Sequence, residues 1–247
     1  MAQGSPVGTI DDIFVKIQEN QKGVIDEALR EQRGSVGRLL SLDHAMKAWE
    51  DLLTNEPEGT LIINGRREFG RAIYLACGGH YGAAFAGLRL YLELSFAAIF
   101  FSANELKRRK WLADSYDFSW SAALNEADGV LSSDFVGAFN QSAVVDAQSY
   151  KAKAAAVYRD CSQFIHGKES STSTIPSQLV YSQNTLEQWC KLASDAIECV
   201  QVLFFSRYGQ ELLPSDSGSV ENTMLETIAH LPSVRKILET PRTENGQ

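Results

Sequence analysis

Two residues whose side chains could act together on a phosphate lie in the stretch YRDCSQFIHGK, residues 158–168. Arg159 and His166 are seven positions apart in a chain that has only 4 histidines. A guanidinium presents a planar, permanently charged set of donors that matches a phosphate, and an imidazole exchanges protons near neutral pH. Together they could cleave RNA without a metal ion. The ring would activate the ribose 2′-hydroxyl or protonate the leaving oxygen, and the cation would stabilise charge on the phosphoryl group.

The surrounding pattern predicts a helix over 147–166, with Gly167 in the usual position after a helix end. On this helix Arg159 and His166 are separated by about 700°, roughly 20° short of two turns, so they share one stripe. The core face is predicted to comprise Ala154, Ala155, Tyr158, Cys161 and Ile165. The stripe is predicted to lie at the edge of that face and to continue through Ala152, Ala156 and Gln163.

One copy of this helix cannot bring both side chains to the same phosphate, because their Cα atoms lie about 10 Å apart along the axis. An antiparallel two-fold pair would place Arg159 of one copy beside His166 of the other, and two-fold dimers are the commonest assembly. The spacing therefore favours a composite site in a homodimer. The alternative is a solvated arginine and a histidine that stabilises the helix C-terminus through its dipole, by about 0.3–1 kcal/mol.

Three charged residues are candidates for a supporting role. Asp160 could orient Arg159 or the histidine of a neighbouring copy, or it could be a solvated acid. Arg89 and Glu93 form an i, i+4 pair inside an apolar segment, where an unpaired charge would be costly. A structural ion pair is the first interpretation of these two residues. The alternative is that they face the same cleft and position Arg159 or the RNA backbone.

The strongest basic cluster of the sequence is a predicted RNA-binding surface. It consists of Lys107, Arg108, Arg109 and Lys110, with Trp111 and Tyr116 shortly after. Such a cluster could hold phosphates while an aromatic ring stacks on a base, and the alternative is a solvated helix face. The chain carries a net charge of −8, so RNA binding would depend on a local patch of this kind or on assembly.

The remaining patterns argue against several other classes of protein. The 4 cysteines make no CxxC pair, which indicates a reducing cytoplasm rather than a disulfide framework or a zinc knuckle. His44, His80 and His230 lack a second ligand at metal spacing, and no HExxH, GxSxG or P-loop pattern occurs. Ser162 lies one turn from His166, but no third group suggests a hydrolase triad. We therefore expect no metal and no cofactor.

The sequence also predicts that the protein does not enter a membrane. The opening residues MAQGSPVGTIDD lack the charged and apolar regions of a secretory signal. The segment 81–103 has the length of a membrane span, which needs about 20 residues. However, Arg89 and Glu93 lie in its middle, where lipid would oppose them by several kcal/mol. A central helix buried among other helices is the better interpretation.

Periodicity predicts an all-α fold. Amphipathic or apolar helices are expected at 9–32, 36–54, near 66–77, 80–103, 147–166, 184–207 and 220–239, and TLIIN at 60–64 is the one short strand candidate. We interpret the chain as an up-down helical bundle over 57–212. An N-terminal helical arm, 1–56, precedes it, and a linker with a C-terminal helix, 213–247, follows it.

These residues resemble a known family. Arg159, a polar Asp160, five further residues and then His166 fit the Arg-polar-x(4–6)-His pattern of the HEPN superfamily. The stretches GGHYGAAFAGLRLYLEL and YRDCSQFIHG are similar to bacterial HEPN-like proteins found near defence genes, and the resemblance covers about residues 60–210.

The resemblance implies a helical bundle that forms a homodimer. In active members the bundle is a metal-independent endoribonuclease that serves as a toxin or antiviral effector. The expected partners are RNA, with tRNA as one candidate, and a protein partner or antitoxin. Other members have lost catalysis and serve in dimerisation or partner binding, which is the alternative expectation.

Overall fold

The computed structural model describes residues 9–166, 169, 173–212 and 218–238. These residues are 78% helical and contain no strand, so the fold is an all-α bundle, as the sequence predicts. The longer helices are α1 (Ile10–Glu31), α2 (Arg33–Ala45), α4 (Gly59–Cys77), α5 (Tyr81–Ser102), α9 (Val144–Ile165) and α10 (Gln183–Leu212). The shorter ones are α3 (Lys47–Leu52), α6 (Glu105–Leu112), α7 (Trp120–Ala123), α8 (Ser133–Phe139), α11 (Ser219–Thr227) and α12 (Pro232–Leu238). A 3-10 turn, Gln141–Ala143, joins α8 to α9.

Helix α5 forms the centre of the bundle. Helix α4 packs along it, and α9 and α10 complete the layer around it. Its side chains Phe85, Leu88, Leu92 and Phe96 have no exposed surface. Within the described ranges it is the one helix long and apolar enough to cross a membrane, but 67% of its most apolar 18-residue segment is buried inside the bundle. The apolar composition of α5 is therefore that of a core helix.

Small residues allow α4 and α5 to pack closely. A Cβ atom added to Gly87 on α5 would lie 3.0 Å from the Cβ of Ala72 on α4. One added to Gly65 would meet Ser95 and Tyr91 at 3.4–3.7 Å. The two helices therefore approach at positions where the sequence supplies glycine and alanine, and large side chains fill the space on either side.

Four of the sequence-predicted helices match the structure within a few residues: α1, α5, α9 and α10. Three other predictions need correction. The predicted helix 36–54 is divided at Met46 into α2 and α3. The strand candidate TLIIN lies inside α4, which begins at Gly59 rather than near 66, because a short apolar run does not distinguish strand from helix. The final helix is interrupted before Pro232, since a proline disfavours helical geometry at the preceding residue.

One continuous core runs from Ala28 in α1 to Val234 in α12. Trp49 on α3 is fully buried in it, so this part of the N-terminal segment 1–56 packs against the bundle. The boundaries proposed at 56/57 and 212/213 remain predictions.

A buried polar contact links α3 to α10. The indole Nε1 of Trp49 donates to Oε1 of Gln201 at 2.7 Å, and both side chains are fully buried. The amide of Gln201 also contacts the sulfur of Met46 at 2.9 Å. Separating the two side chains would leave the buried indole donor without an acceptor, which is costly. The bond therefore holds α3 in place on α10.

We expect Gln201→Leu to lower the free energy of unfolding by about 2 kcal/mol, because it leaves the Trp49 indole buried without an acceptor. Urea denaturation measures this change. The control is Gln148→Leu at an exposed position of α9, which we expect to stay within about 0.5 kcal/mol of the wild type. Equal effects of the two substitutions would contradict a special role for the Trp49–Gln201 bond.

Candidate functional site

The orientation of α9 decides where Arg159 and His166 point. Its buried residues are Ala147, Tyr150, Lys151, Ala154, Val157 and Cys161. The core face is therefore centred on Ala154 and Cys161, and Ile165, which the sequence assigned to it, is 43% exposed. Arg159 and His166 lie roughly 140° from the centre of this face. They are on the outward side of α9 and not at the edge of the core face, because α9 packs against both α5 and α10.

Both candidate catalytic side chains are exposed. His166 is the first residue after α9, and its backbone N–H donates to the carbonyl of Ser162 at 3.1 Å. Across the described residues, neither Arg159 nor His166 makes a side-chain hydrogen bond or an ion pair. Asp160 is half-buried and bonds to neither of them. The structure thus leaves the stripe open to solvent, and the C-terminal helices α11 and α12 do not seal it.

The two charged residues of α5 form an ion pair beside this stripe. The guanidinium of Arg89 contacts Oε1 of Glu93 at 3.1 and 3.2 Å. The hydroxyl of Tyr158 donates to the same oxygen at 2.6 Å, and the Arg89 guanidinium lies 4.8 Å from the Tyr158 ring centre. Burial and the bond to Glu93 raise the pKa of Tyr158 to about 12. The pair therefore contacts the residue immediately before Arg159, not Arg159 itself.

Aromatic stacking holds α9 against α7 on one side of Arg159 and against α5 on the other. The Tyr158 ring stacks on Trp120 at 4.1 Å between ring centres, with 9° between the planes. The Phe164 ring stacks on Phe85 at 3.7 Å and 3°. Because Phe85 meets Phe164 while Glu93 meets Tyr158, the two helices run antiparallel. The contacts at Tyr158 and Phe164 lie on either side of Arg159, and His166 follows two residues after the second contact.

Sequence reasoning assigned Tyr158 only to the core and did not single out Phe164. Their partners lie on other helices, which no local pattern reveals. The available signal was the presence of aromatic residues one position before Arg159 and two before His166.

The basic cluster lies at the opposite end of α5 from His166. Helix α6 follows the C-terminal end of α5, where Trp111 packs on Phe101 at 5.4 Å between ring centres. His166 lies near the other end, beyond the Phe164–Phe85 stack. The two ends are separated by about 24 Å, the rise of the 16 residues from Phe85 to Phe101.

Most of the cations in this cluster already have partners. Arg108 and Arg109 form ion pairs with Glu105 at 3.5 and 2.7 Å. The Lys107 ammonium lies 4.7 Å from the Phe100 ring centre. The two aromatic residues proposed to stack on bases, Trp111 and Tyr116, instead pack on Phe101. The structure thus does not bring this predicted RNA-binding surface to Arg159 and His166.

A second polar cluster, which the sequence did not predict, ties α9 to α10 and to the segment between α11 and α12. Tyr150 donates to Glu198, and its hydroxyl lies 3.1 Å from Nε2 of His230. The Lys153 ammonium contacts Glu198 at 2.5 Å and Asp195 at 2.9 Å. Burial alone would raise the pKa of Glu198, but bonds from Lys153 and Tyr150 outweigh it and lower the pKa. The only sequence signal is the matched i, i+3 spacing on the two helices.

The described part of the chain contains no group of three or more histidine, cysteine or acidic side chains arranged to hold a metal ion. The cysteines Cys77, Cys161, Cys190 and Cys199 are free and buried. No protein-family model, curated protein or solved structure matches the chain.

We expect Tyr158→Phe to lower the free energy of unfolding by about 1 kcal/mol at pH 8, because it removes the bond to Glu93. The raised pKa of Tyr158 means that its stabilisation is complete below the ordinary value of 10.0 and is lost as the pH rises to about 12. Urea denaturation at pH 8 and pH 11 should therefore show a smaller difference from the wild type at the higher pH.

The control is Tyr74→Phe on α4, where the side chain is 59% exposed. A difference between wild type and Tyr158→Phe that does not change with pH would contradict this assignment.

Proposed function

We propose that the protein is a metal-independent endoribonuclease of the HEPN type that acts in the cytoplasm as a homodimer, as a toxin or antiviral effector. This proposal rests on the solvent exposure and the free side chains of Arg159 and His166 in the described part of the chain. Both side chains are exposed on the outward side of α9 and have no bonding partner in the described ranges. The adjacent contacts to α5 hold the helix beneath them in place.

The chemistry follows from the two side-chain types. His166 activates the ribose 2′-hydroxyl or protonates the leaving oxygen as the chain is cut. Arg159 donates to the phosphoryl oxygens and stabilises the charge that develops on them. Each composite site contains one Arg159 and the partner copy's His166, so that a dimer has two sites.

The two-fold axis that this composite site needs is well defined. Arg159 lies opposite the second copy's His166 only if the helices cross at the midpoint between Ser162 and Gln163. Each of the two residues is then about 5 Å along the axis from the crossing point. A full antiparallel pairing centred on Ala154 would instead place Arg159 opposite Ser149. The crossing therefore involves the C-terminal ends of both helices.

The expected substrate is RNA, with tRNA as one candidate. The net charge of −8 and the position of the basic cluster at the opposite end of α5 from His166 make Arg159 the expected main phosphate contact of the site. A protein partner or antitoxin that delivers or blocks the RNA is consistent with this limited surface.

The second candidate function is a non-catalytic HEPN-like module that dimerises or binds a partner in a defence complex. One observation favours it. The basic cluster at Lys107–Lys110 lies at the opposite end of α5 from His166, and three of its four cations already pair with acidic or aromatic side chains.

We expect expression of the chain to arrest bacterial growth, and both Arg159→Ala and His166→Ala to relieve the arrest. The purified protein should cleave RNA in the presence of EDTA, and each substitution should lower the rate by at least about 100-fold.

Matched controls are Arg38→Ala and His44→Ala, which remove the same side-chain types from exposed positions of α2. They should leave cleavage unchanged. Toxicity or cleavage that survives both site substitutions would rule out the nuclease and leave the binding module.

A cysteine in place of Gln163 should form a disulfide between two copies under mild oxidation, because this position lies beside the proposed two-fold axis. A cysteine in place of Ser149 should not, because it lies about 20 Å along the helix from that axis. The native cysteines are buried, so they give little background. Non-reducing electrophoresis measures the product, and a disulfide at Ser149→Cys alone would contradict the proposed crossing.

A further inference from the structure

The N-terminal part of α1 projects from the bundle with an uncovered apolar stripe. Every residue from Ile10 to Asn20 is exposed, and the first buried residue of the helix is Val24. We call Ile10–Glu19 the α1 arm, since the Asn20 side chain donates to the carbonyl of Leu179 at 3.0 Å. The exposed stripe residues are Ile10, Ile13, Phe14 and Ile17, which are 43–69% exposed.

The arm begins as a well-formed helix. The Thr9 side chain accepts a bond from the backbone of Asp12, and the Asp12 side chain accepts one from the backbone of Thr9. Such a reciprocal cap stabilises the first turn of a helix. The exposed apolar residues are therefore presented by an ordered surface.

The arm continues a face that is already used for packing. Its four stripe residues are spaced at three, four and seven positions, and the same face reaches Val24 and Ala28, which are buried against the bundle. Only the C-terminal half of this apolar stripe is therefore covered within one copy.

The arm leaves the bundle at the end that carries His166. At the base of the arm, the side-chain amide of Gln21 lies 3.3 Å from Nε2 of His80, the residue that precedes α5. A few residues further along α5, Phe85 stacks on Phe164, two positions before His166. The α1 arm and the C-terminal end of α9 thus belong to one end of the molecule.

We propose that the α1 arm packs against a second copy of the chain, at the dimer that forms the composite site. This inference takes the position of the two-fold axis from the proposed function. Two α9 ends that cross near Ser162 would bury less than the roughly 1,000 Å² that a specific interface needs. Their outward side is also mostly polar or small. The arm supplies the missing apolar surface at the same end.

The charges of the arm favour a protein surface over a lipid surface. Its polar residues include Asp11, Asp12 and Glu19 against Lys16, so it lacks the basic face of helices that lie on membranes. The net charge of −8 also opposes binding to anionic lipid.

The test is sedimentation velocity of the full chain over a range of concentrations, comparing Phe14→Glu with Val15→Glu. Both residues are exposed, at 57% and 50%, and both variants gain one negative charge, but Val15 lies off the apolar stripe. We expect a dimeric wild type, a dissociation constant raised at least about tenfold by Phe14→Glu, and a value within about threefold of wild type for Val15→Glu. Circular dichroism checks that both variants remain folded.

Equal dissociation constants for the two variants would overturn the inference, as would a wild type that stays monomeric at about 100 μM. Flotation of the wild type, but not Phe14→Glu, with vesicles of phosphatidylcholine and phosphatidylglycerol would overturn it in favour of a membrane surface.

RNA cleavage separates the failure of the arm inference from the failure of the proposed function. If a Phe14-dependent dimer has no Arg159-dependent cleavage, the arm inference survives and the nuclease proposal fails. If cleavage depends on Arg159 but Phe14→Glu leaves the dissociation constant of the dimer unchanged, the arm inference alone fails.

Discussion

The contact between α5 and α9 determines what the outer surface of this protein can do. Phe85 stacks on Phe164, and Glu93 accepts a bond from Tyr158, so α9 is held at two points about one and a half turns apart. With Ala154 and Cys161 buried, the rotation of α9 about its own axis is fixed. Arg159 and His166 face outward as a consequence, and any chemistry they perform must occur on the outside of the bundle.

The outward position of Arg159 and His166 leaves both side chains in water within a single copy. A buried guanidinium without an acidic partner would destabilise the fold. The partly buried Arg89 avoids this cost because it pairs with Glu93. On the outside, Arg159 can remain without a partner in the described structure because water solvates it. A surface of this kind excludes water only when a second molecule covers it. The proposed dimer supplies that cover, and the α1 arm offers apolar surface at the same end.

The sequence was sufficient for the parts of the structure that local pattern controls. The long helices, the buried position of α5 and the shared stripe of Arg159 and His166 all follow from periodicity and spacing. The direction in which that stripe points could not be predicted from periodicity, because it depends on which residues of α9 contact α5 and α10. The sequence placed Ile165 in the core and missed Val157. The separation of the basic cluster from His166 was equally hidden, since it depends on the antiparallel course of α5 and α9.

The most direct test of the composite site is a mixture of two inactive proteins. Purified Arg159→Ala and His166→Ala would be combined in equal amounts, allowed to exchange subunits, and assayed for RNA cleavage in EDTA. Half of the dimers should then be mixed, and each mixed dimer has one intact pair from opposite copies. We therefore expect recovery of about a quarter of the wild-type activity. If the mixture is as inactive as its components while the wild type cleaves RNA, the two side chains do not act across a dimer and the central claim is wrong.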